Sequence, residues 1–94
     1  MTDTQIFETI TGVIFTPEFL KLRKRENLDL RDIFVNLVTL NGTNKEFNRV
    51  AKLINKDRST IRVSRIRFKN LYETDKNYRL NADEIKHKFE EYVL

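Results

Sequence analysis

Residues 43–72 read TNKEFNRVAKLINKDRSTIRVSRIRFKNLY, and this stretch decides the fold. Thr43 and Glu46 stand at the spacing of a capping box, in which the hydroxyl takes the N–H three residues on and the carboxylate reaches back to the cap N–H. Phe47, Val50, Ala51 and Ile54 then recur at the i, i+3, i+4, i+7 spacing of a helix that buries one face. Asn55-Lys56 reads as a tight turn, and Asp57 is placed to cap a second helix from Arg58 to about Tyr72. Ala51 is small enough for the two helices to cross closely. Two helices joined by so short a turn, the second rich in Arg, Ser and Thr, form the helix-turn-helix that docks in DNA. The first helix braces the backbone and the second offers side chains to base edges in the major groove. The pattern spans about residues 44–72. Any corner of two helices has the same periodicity, so charge has to be weighed with it.

At ~3.6 residues per turn, Ile61, Phe68 and Tyr72 fall together on the second helix, with Leu71 beside them, as its core face. Arg58, Arg62, Arg65 and Lys69 line one flank without an interleaved acid. A charged stripe is also what a solvated face looks like, but like charges so placed repel one another unless an anion is near. Arg65 borders the core stripe and is placed to snorkel. Ser59, Val63, Ile66 and Asn70 lie opposite the core. A lone soluble helix does not explain Val63 and Ile66, which suit thymine methyl groups or a protein partner.

Upstream, Leu30, Ile33, Phe34, Leu37 and Leu40 make one stripe over about Asp29–Leu40, the expected central helix, which Asn41-Gly42 ends. Thr16-Pro17-Glu18 is a helix start, with a hydroxyl cap, Pro at the first helical position and an acid at the positive dipole end. Phe19, Leu20 and Leu22 give that short helix its apolar side. The basic run Lys21–Arg25 follows as a loop. Asp3 or Thr4 is expected to cap a first helix carrying Ile6, Phe7 and Ile10, and Gly12 suits the left-handed residue past its end. Downstream, Thr74–Tyr78 reads as a polar connection. Asn81 and Glu84 have capping-box spacing for a last helix over about 82–93, with Ile85, Phe89 and Tyr92 facing inward. The expectation is one all-α domain over 1–94, a compact bundle of five to six helices without a strand, as suits a chain with two Gly and one Pro.

The chain carries a net charge of +4, concentrated in two places. Lys21–Arg25 holds four cations in five residues, and Lys56–Lys69 holds six cations and one acid. Polyanion binding is the natural reading. Other classes find little support. No apolar run exceeds that of Val13-Ile14-Phe15, so no membrane partner is expected. Met1-Thr2-Asp3-Thr4 lacks the regions of a signal peptide. Cysteine is absent, which excludes disulfides, thiol chemistry and Cys-based zinc sites and suits a reducing cytosol. His87 with Glu84, Glu90 and Glu91 is a poor metal site. Ser59 and Ser64 have no neighbouring His. Asp29, Asp32 and Asp57 read as caps and first-turn acids, and Tyr72, Tyr78 and Tyr92 follow core spacing. No catalytic residue, cofactor, metal or small-molecule substrate is therefore expected.

Three segments between Phe19 and Phe89 together resemble the C-terminal DNA-binding domain (domain IV) of the bacterial replication initiator DnaA. Leu22-Arg23-Lys24-Arg25-Glu26 with Arg31-Asp32-Ile33 is similar to that family's basic loop and the helix start after it. Val50–Ile61 resembles its helix-turn-helix signature, and Asn70–Lys76 the segment leaving the recognition helix. The resemblance implies a Trp-repressor-like helical fold, Arg23 in the minor groove, and Lys24 and Arg25 near the backbone. It implies base reading by Asp57, Arg58 and Ser59, with Thr60 on a phosphate. Arg58 stands where the family has His, Ser59 where it has Thr, and Asn55-Lys56 replaces a longer Gly-Gly turn, so a different target sequence is expected. The nucleotide-binding loop Gly-x-x-x-x-Gly-Lys-[Ser/Thr] is missing, which leaves the DNA-reading part alone. Asp accepts from a cytosine amino group and Arg bonds guanine in bidentate fashion, so the chemistry holds on its own terms. The expected DNA-contact set is Arg23, Lys24, Arg25, Lys45, Lys56, Asp57, Arg58, Ser59, Thr60, Arg62 and Val63. The expected role is a replication-associated or transcriptional regulator on double-stranded DNA, cytoplasmic and nucleoid-associated, in the host cytoplasm if phage-encoded. The alternative is a virion or adaptor module that binds a host replication or transcription protein.

Overall fold

The helix at the centre of the molecule is Arg25–Val38 in the computed structural model, which describes residues 1–21 and 23–94. It is the third of six among the described residues: α1 (Asp3–Thr11), α2 (Pro17–Lys21), α3 (Arg25–Val38), α4 (Asn44–Leu53), α5 (Arg58–Thr74) and α6 (Lys76–Tyr92). The described residues contain no strand. Ile33, Phe34, Val35, Leu37 and Val38 bury the inner face of α3. It packs chiefly on α5 and also meets α1, α4 and α6, while α6 closes the bundle against α1 and α5. The molecule measures 30 × 28 × 26 Å.

α3 starts four residues before the expected Asp29, so only part of the basic run is loop. Lys21 ends α2, Arg23 and Lys24 connect, and Arg25 is already helical. Leu22 lies outside the described residues. The early start changes what the aspartates do. Asp29 and Asp32 are not first-turn acids, because they sit one and two turns into α3 and face α5. Asp32 is fully buried and accepts from Arg67 Nη1 at 2.6 Å and from Arg31 at 3.2 Å, while Asp29 accepts from Arg67 Nη2 at 2.8 Å. Arg31 also donates to the buried Ser64 hydroxyl at 3.4 Å. Charges so deep are tolerated only because each carboxylate meets a guanidinium in hydrogen-bonding geometry.

Leu40 continues the periodicity of α3 but not its structure. Thr39 ends the helix, with its hydroxyl on Val35 O at 2.6 Å, and Gly42 turns the chain with φ 67°, leaving Leu40 67% exposed. The capping box of Thr43 and Glu46 forms as expected. Phe47, Val50, Ala51 and Ile54 are all buried. The turn after α4 is a Schellman motif: the Asn55 N–H bonds Lys52 O at 3.2 Å and the Lys56 N–H bonds Ala51 O at 2.9 Å. Asn55 takes the left-handed place with φ 55°, which its short polar side chain tolerates better than most.

The C-terminal part departs from expectation. Thr74–Tyr78 is not a connection, because Asp75 alone interrupts the helix. Its N–H bonds Leu71 O at 2.8 Å and its carboxylate accepts from the Tyr78 N–H at 3.0 Å, so one residue closes α5 and opens α6. Asn81 therefore lies exposed within α6 and caps nothing, and the last helix begins at Lys76 rather than near 82. Ile85 and Phe89 face the core as expected, but Tyr92 is 59% exposed. At the other end Thr2, not Asp3 or Thr4, caps α1 in a box with Gln5. Asp3 instead pairs with Arg49 of α4 at 3.0 Å. Beneath α1, the Phe7 ring meets Phe15, Phe19 and Phe34 edge-on at centroid distances of 5.2, 5.0 and 5.3 Å.

Candidate nucleic-acid interface

The leading end of α5 is shaped by Asp57. Its Oδ1 accepts from the Ser59 hydroxyl at 2.5 Å, the Thr60 N–H at 3.1 Å and the Thr60 hydroxyl at 3.3 Å. The Ser59 hydroxyl, then the Thr60 N–H, hold the carboxyl below its ordinary value of 3.8. A depressed carboxyl contributes stability above its unfolded-state value and loses it as pH falls through the folded-state value. We expect Asp57→Asn to lower the thermal unfolding midpoint at neutral pH, and the gap from wild type to close as pH drops below 3.8. A gap that is unchanged at acid pH would mean that the ionised cap adds nothing.

Lys56 stands one residue earlier and is exposed. It joins two shallow grooves. One is lined by Leu20, Arg23, Leu28, Arg31, Lys56 and Thr60, and the other by Pro17, Lys21, Arg23, Asn55 and Lys56 among others. The two cationic clusters of the sequence thus meet across one surface, where Arg23 from the α2–α3 connection faces Lys56 and Thr60 at the start of α5. Neither groove is lined by a carboxylate among the described residues. Lys24 is exposed just before α3, and Ser59, Arg62 and Val63 are exposed on α5.

The other expected residues separate from this surface. Arg25 turns toward the start of α6, pairing with Asp75 at 3.0 Å and with Asp29 at 3.7 Å. Lys45 lies with Asp3 and Arg49 in a different hollow, which shares only Asn48 and Lys52 with the hollow of Lys56 and Ser59. The flank of four cations on α5 is reduced too. Arg65 folds inward, donates to Thr39 O at 2.5 Å and sits 5.3 Å from the Phe47 ring centroid, the snorkelling its place beside the core stripe suggests. Arg58 is half-buried, with Nη2 donating to Asn44 Oδ1 and Nε enclosed without a partner.

No family model, curated protein or solved structure matches the chain. What the surface can do must be read from its own groups. It offers guanidinium, ammonium and hydroxyl groups beside the positive end of a helix, which is the chemistry that holds phosphate. Three residues escape a reading of the sequence by charge run alone. Arg31 lines the groove from within α3, Asn44 holds Arg58, and Lys52 shares a hollow with Lys56 and Ser59. Only Arg31 leaves a trace in the sequence, eight positions after Arg23. Among the described residues no three His, Cys, Asp or Glu side chains gather as metal ligands, and no helix is long and apolar enough to cross a membrane.

Proposed function

We propose that this chain binds double-stranded DNA, with the start of α5 in the major groove and Arg23 in the adjoining minor groove. The observation that carries the proposal is the shared groove of Arg23, Lys56 and Thr60. A duplex can meet two cationic clusters together only if they open on the same side. The motif residues resembling the DnaA DNA-binding domain, Val50–Ile61 with Arg23 upstream, support the same reading, with α4 and α5 as the helix-turn-helix. In this reading the chain is a DNA reader that regulates replication or transcription on the nucleoid.

Lys56 and Arg62 contact phosphates and Arg58 contacts a base. A salt-titrated mobility-shift assay tests this. Lys56→Ala and Arg62→Ala should each weaken all duplexes alike and flatten the log–log salt slope by roughly one. Arg58→Ala should cost about 1–3 kcal/mol on the preferred sequence and relax base preference. Binding by all three variants that is indistinguishable from wild type would overturn the assignment.

A protein-interaction module is the second reading. It is favoured by the hollow lined by Val63, Ile66, Asn70 and Leu71, where Val63 is 61% and Ile66 59% exposed. A partner retained through nuclease and high salt, by a chain without duplex affinity, would select it.

A further inference from the structure

We infer that Asn44, at the first position of α4, is a positioning residue for Arg58 and turns the pair into a reader of guanine. The inference rests on the DNA-binding reading above and adds to it a residue and a base.

The argument begins with donors and acceptors. An asparagine side chain has one acceptor oxygen with two lone pairs and two donor hydrogens, and alone it suits adenine, accepting from N6 and donating to N7. Here one lone pair of Oδ1 is taken by Arg58 Nη2. The orientation of the amide follows from chemistry, because a guanidinium has no acceptor and Nδ2 against it would set donor against donor. Asn44 keeps both Nδ2 hydrogens, and its remaining lone pair sits on the atom already held against Arg58. Arg58 keeps the Nη1 hydrogens and one on Nη2, while Nε is enclosed. The hydrogens left on Nη1, Nη2 and Nδ2 outnumber the one lone pair left on Oδ1, so the pair presents mainly donors. Guanine is the base whose major-groove edge presents two acceptors, N7 and O6, whereas adenine adds a donor at N6 that would meet another donor.

Placement supports the same conclusion. Thr43 and Asp57 cap α4 and α5, and the Arg58–Asn44 bond ties the first residues of those helices together. Unlike Arg67, which is spent on the aspartates of α3, Arg58 is held by a neutral amide and keeps its charge unbalanced. A long side chain fixed before binding loses less rotamer freedom on contact.

The test uses the intact chain. A random duplex pool gives the preferred sequence, and Arg58→Ala locates the base pair at which preference disappears. Affinities are then measured with guanine, 7-deazaguanine or adenine there, for wild type, N44A and N44D, together with thermal unfolding of each variant. Wild type should prefer guanine over adenine by roughly tenfold or more. N44A should bind the adenine duplex about as well as wild type does but lose most of that ratio. N44D keeps the acceptor for Arg58, so it should retain the ratio while binding every duplex more weakly, because its charge opposes phosphate. A merely structural role for Asn44 would weaken all duplexes in parallel and leave the ratio intact. An undiminished ratio in N44A, or its loss in N44D, overturns the pairing. Wild type that binds no duplex at low salt overturns the function beneath it, and the inference with it.

Discussion

Arg67→Ala is expected to lower the unfolding free energy by roughly 3 kcal/mol, at the lower end of the range for removing one partner of a buried ion pair. Arg67 reaches across the α3–α5 interface with one nitrogen on Asp32 and the other on Asp29. Without it the fully buried Asp32 keeps only Arg31, at 3.2 Å. The Arg31 bond holds the effect near the lower end. Urea unfolding reads the change directly, and a loss below about 1 kcal/mol, the ceiling for ordinary surface pairs, would mean that the network is not built as described. Replacing both charges by apolar groups should be far milder, since a buried pair often does no better than well-packed hydrophobic residues of similar volume. Arg67→Met with Asp32→Leu should therefore recover much of the loss. What cannot be recovered this way is Asp29, left without Arg67, and Arg31, left without Asp32.

The second large effect is expected at Phe7. Its side chain is fully buried at the meeting of α1, α2 and α3, with three phenylalanine rings against it. Phe7→Ala removes a ring and leaves a cavity, at a cost of roughly 3–5 kcal/mol. The site should feel the change as well. Phe19 of α2 rests on Phe7, and its neighbours Leu20 and Lys21 line the grooves that hold Arg23. If the variant remains folded in the cold, its duplex affinity should fall although no cationic residue has been touched. Phe7→Leu, which refills most of the space, should recover both. Equal stability of Phe7→Ala and wild type would contradict the packing.

The capping signals and apolar stripes that define α4 and α5 could be read from local spacing because their hydrogen bonds and core faces lie within a few residues of one another. Thr43, Glu46, Asp57 and the Phe47–Ile54 stripe all do what their positions imply. The failures have local causes too. Leu40 fits the period of α3, but period says nothing about where Thr39 and Gly42 stop the helix. Thr74–Tyr78 has the composition of a loop, yet a single aspartate serves as the whole break and Tyr78 turns into the core. The spacing of Asn81 and Glu84 occurs by chance on the exposed side of a helix already under way.

The partners of the arginines were out of reach for a different reason. Arg25 meets Asp75 fifty positions away, Arg67 meets Asp32 thirty-five away, and Arg58 meets Asn44 fourteen away. Charge can be counted along a chain, but which charges are spent depends on how the helices stack. The stripe on α5 thus lost Arg65 to the interior, while the junction of Arg23 with Lys56 was suggested by resemblance rather than by spacing.

Asp75 alone separates the two longest helices, and hydrogen bonds hold it from both sides. Its N–H is anchored in α5, its carboxylate holds the Tyr78 amide, and Arg25 clasps it from α3. A roll or tilt of α5 at that elbow would strain bonds that also hold the start of α6, and α6 lies against α1.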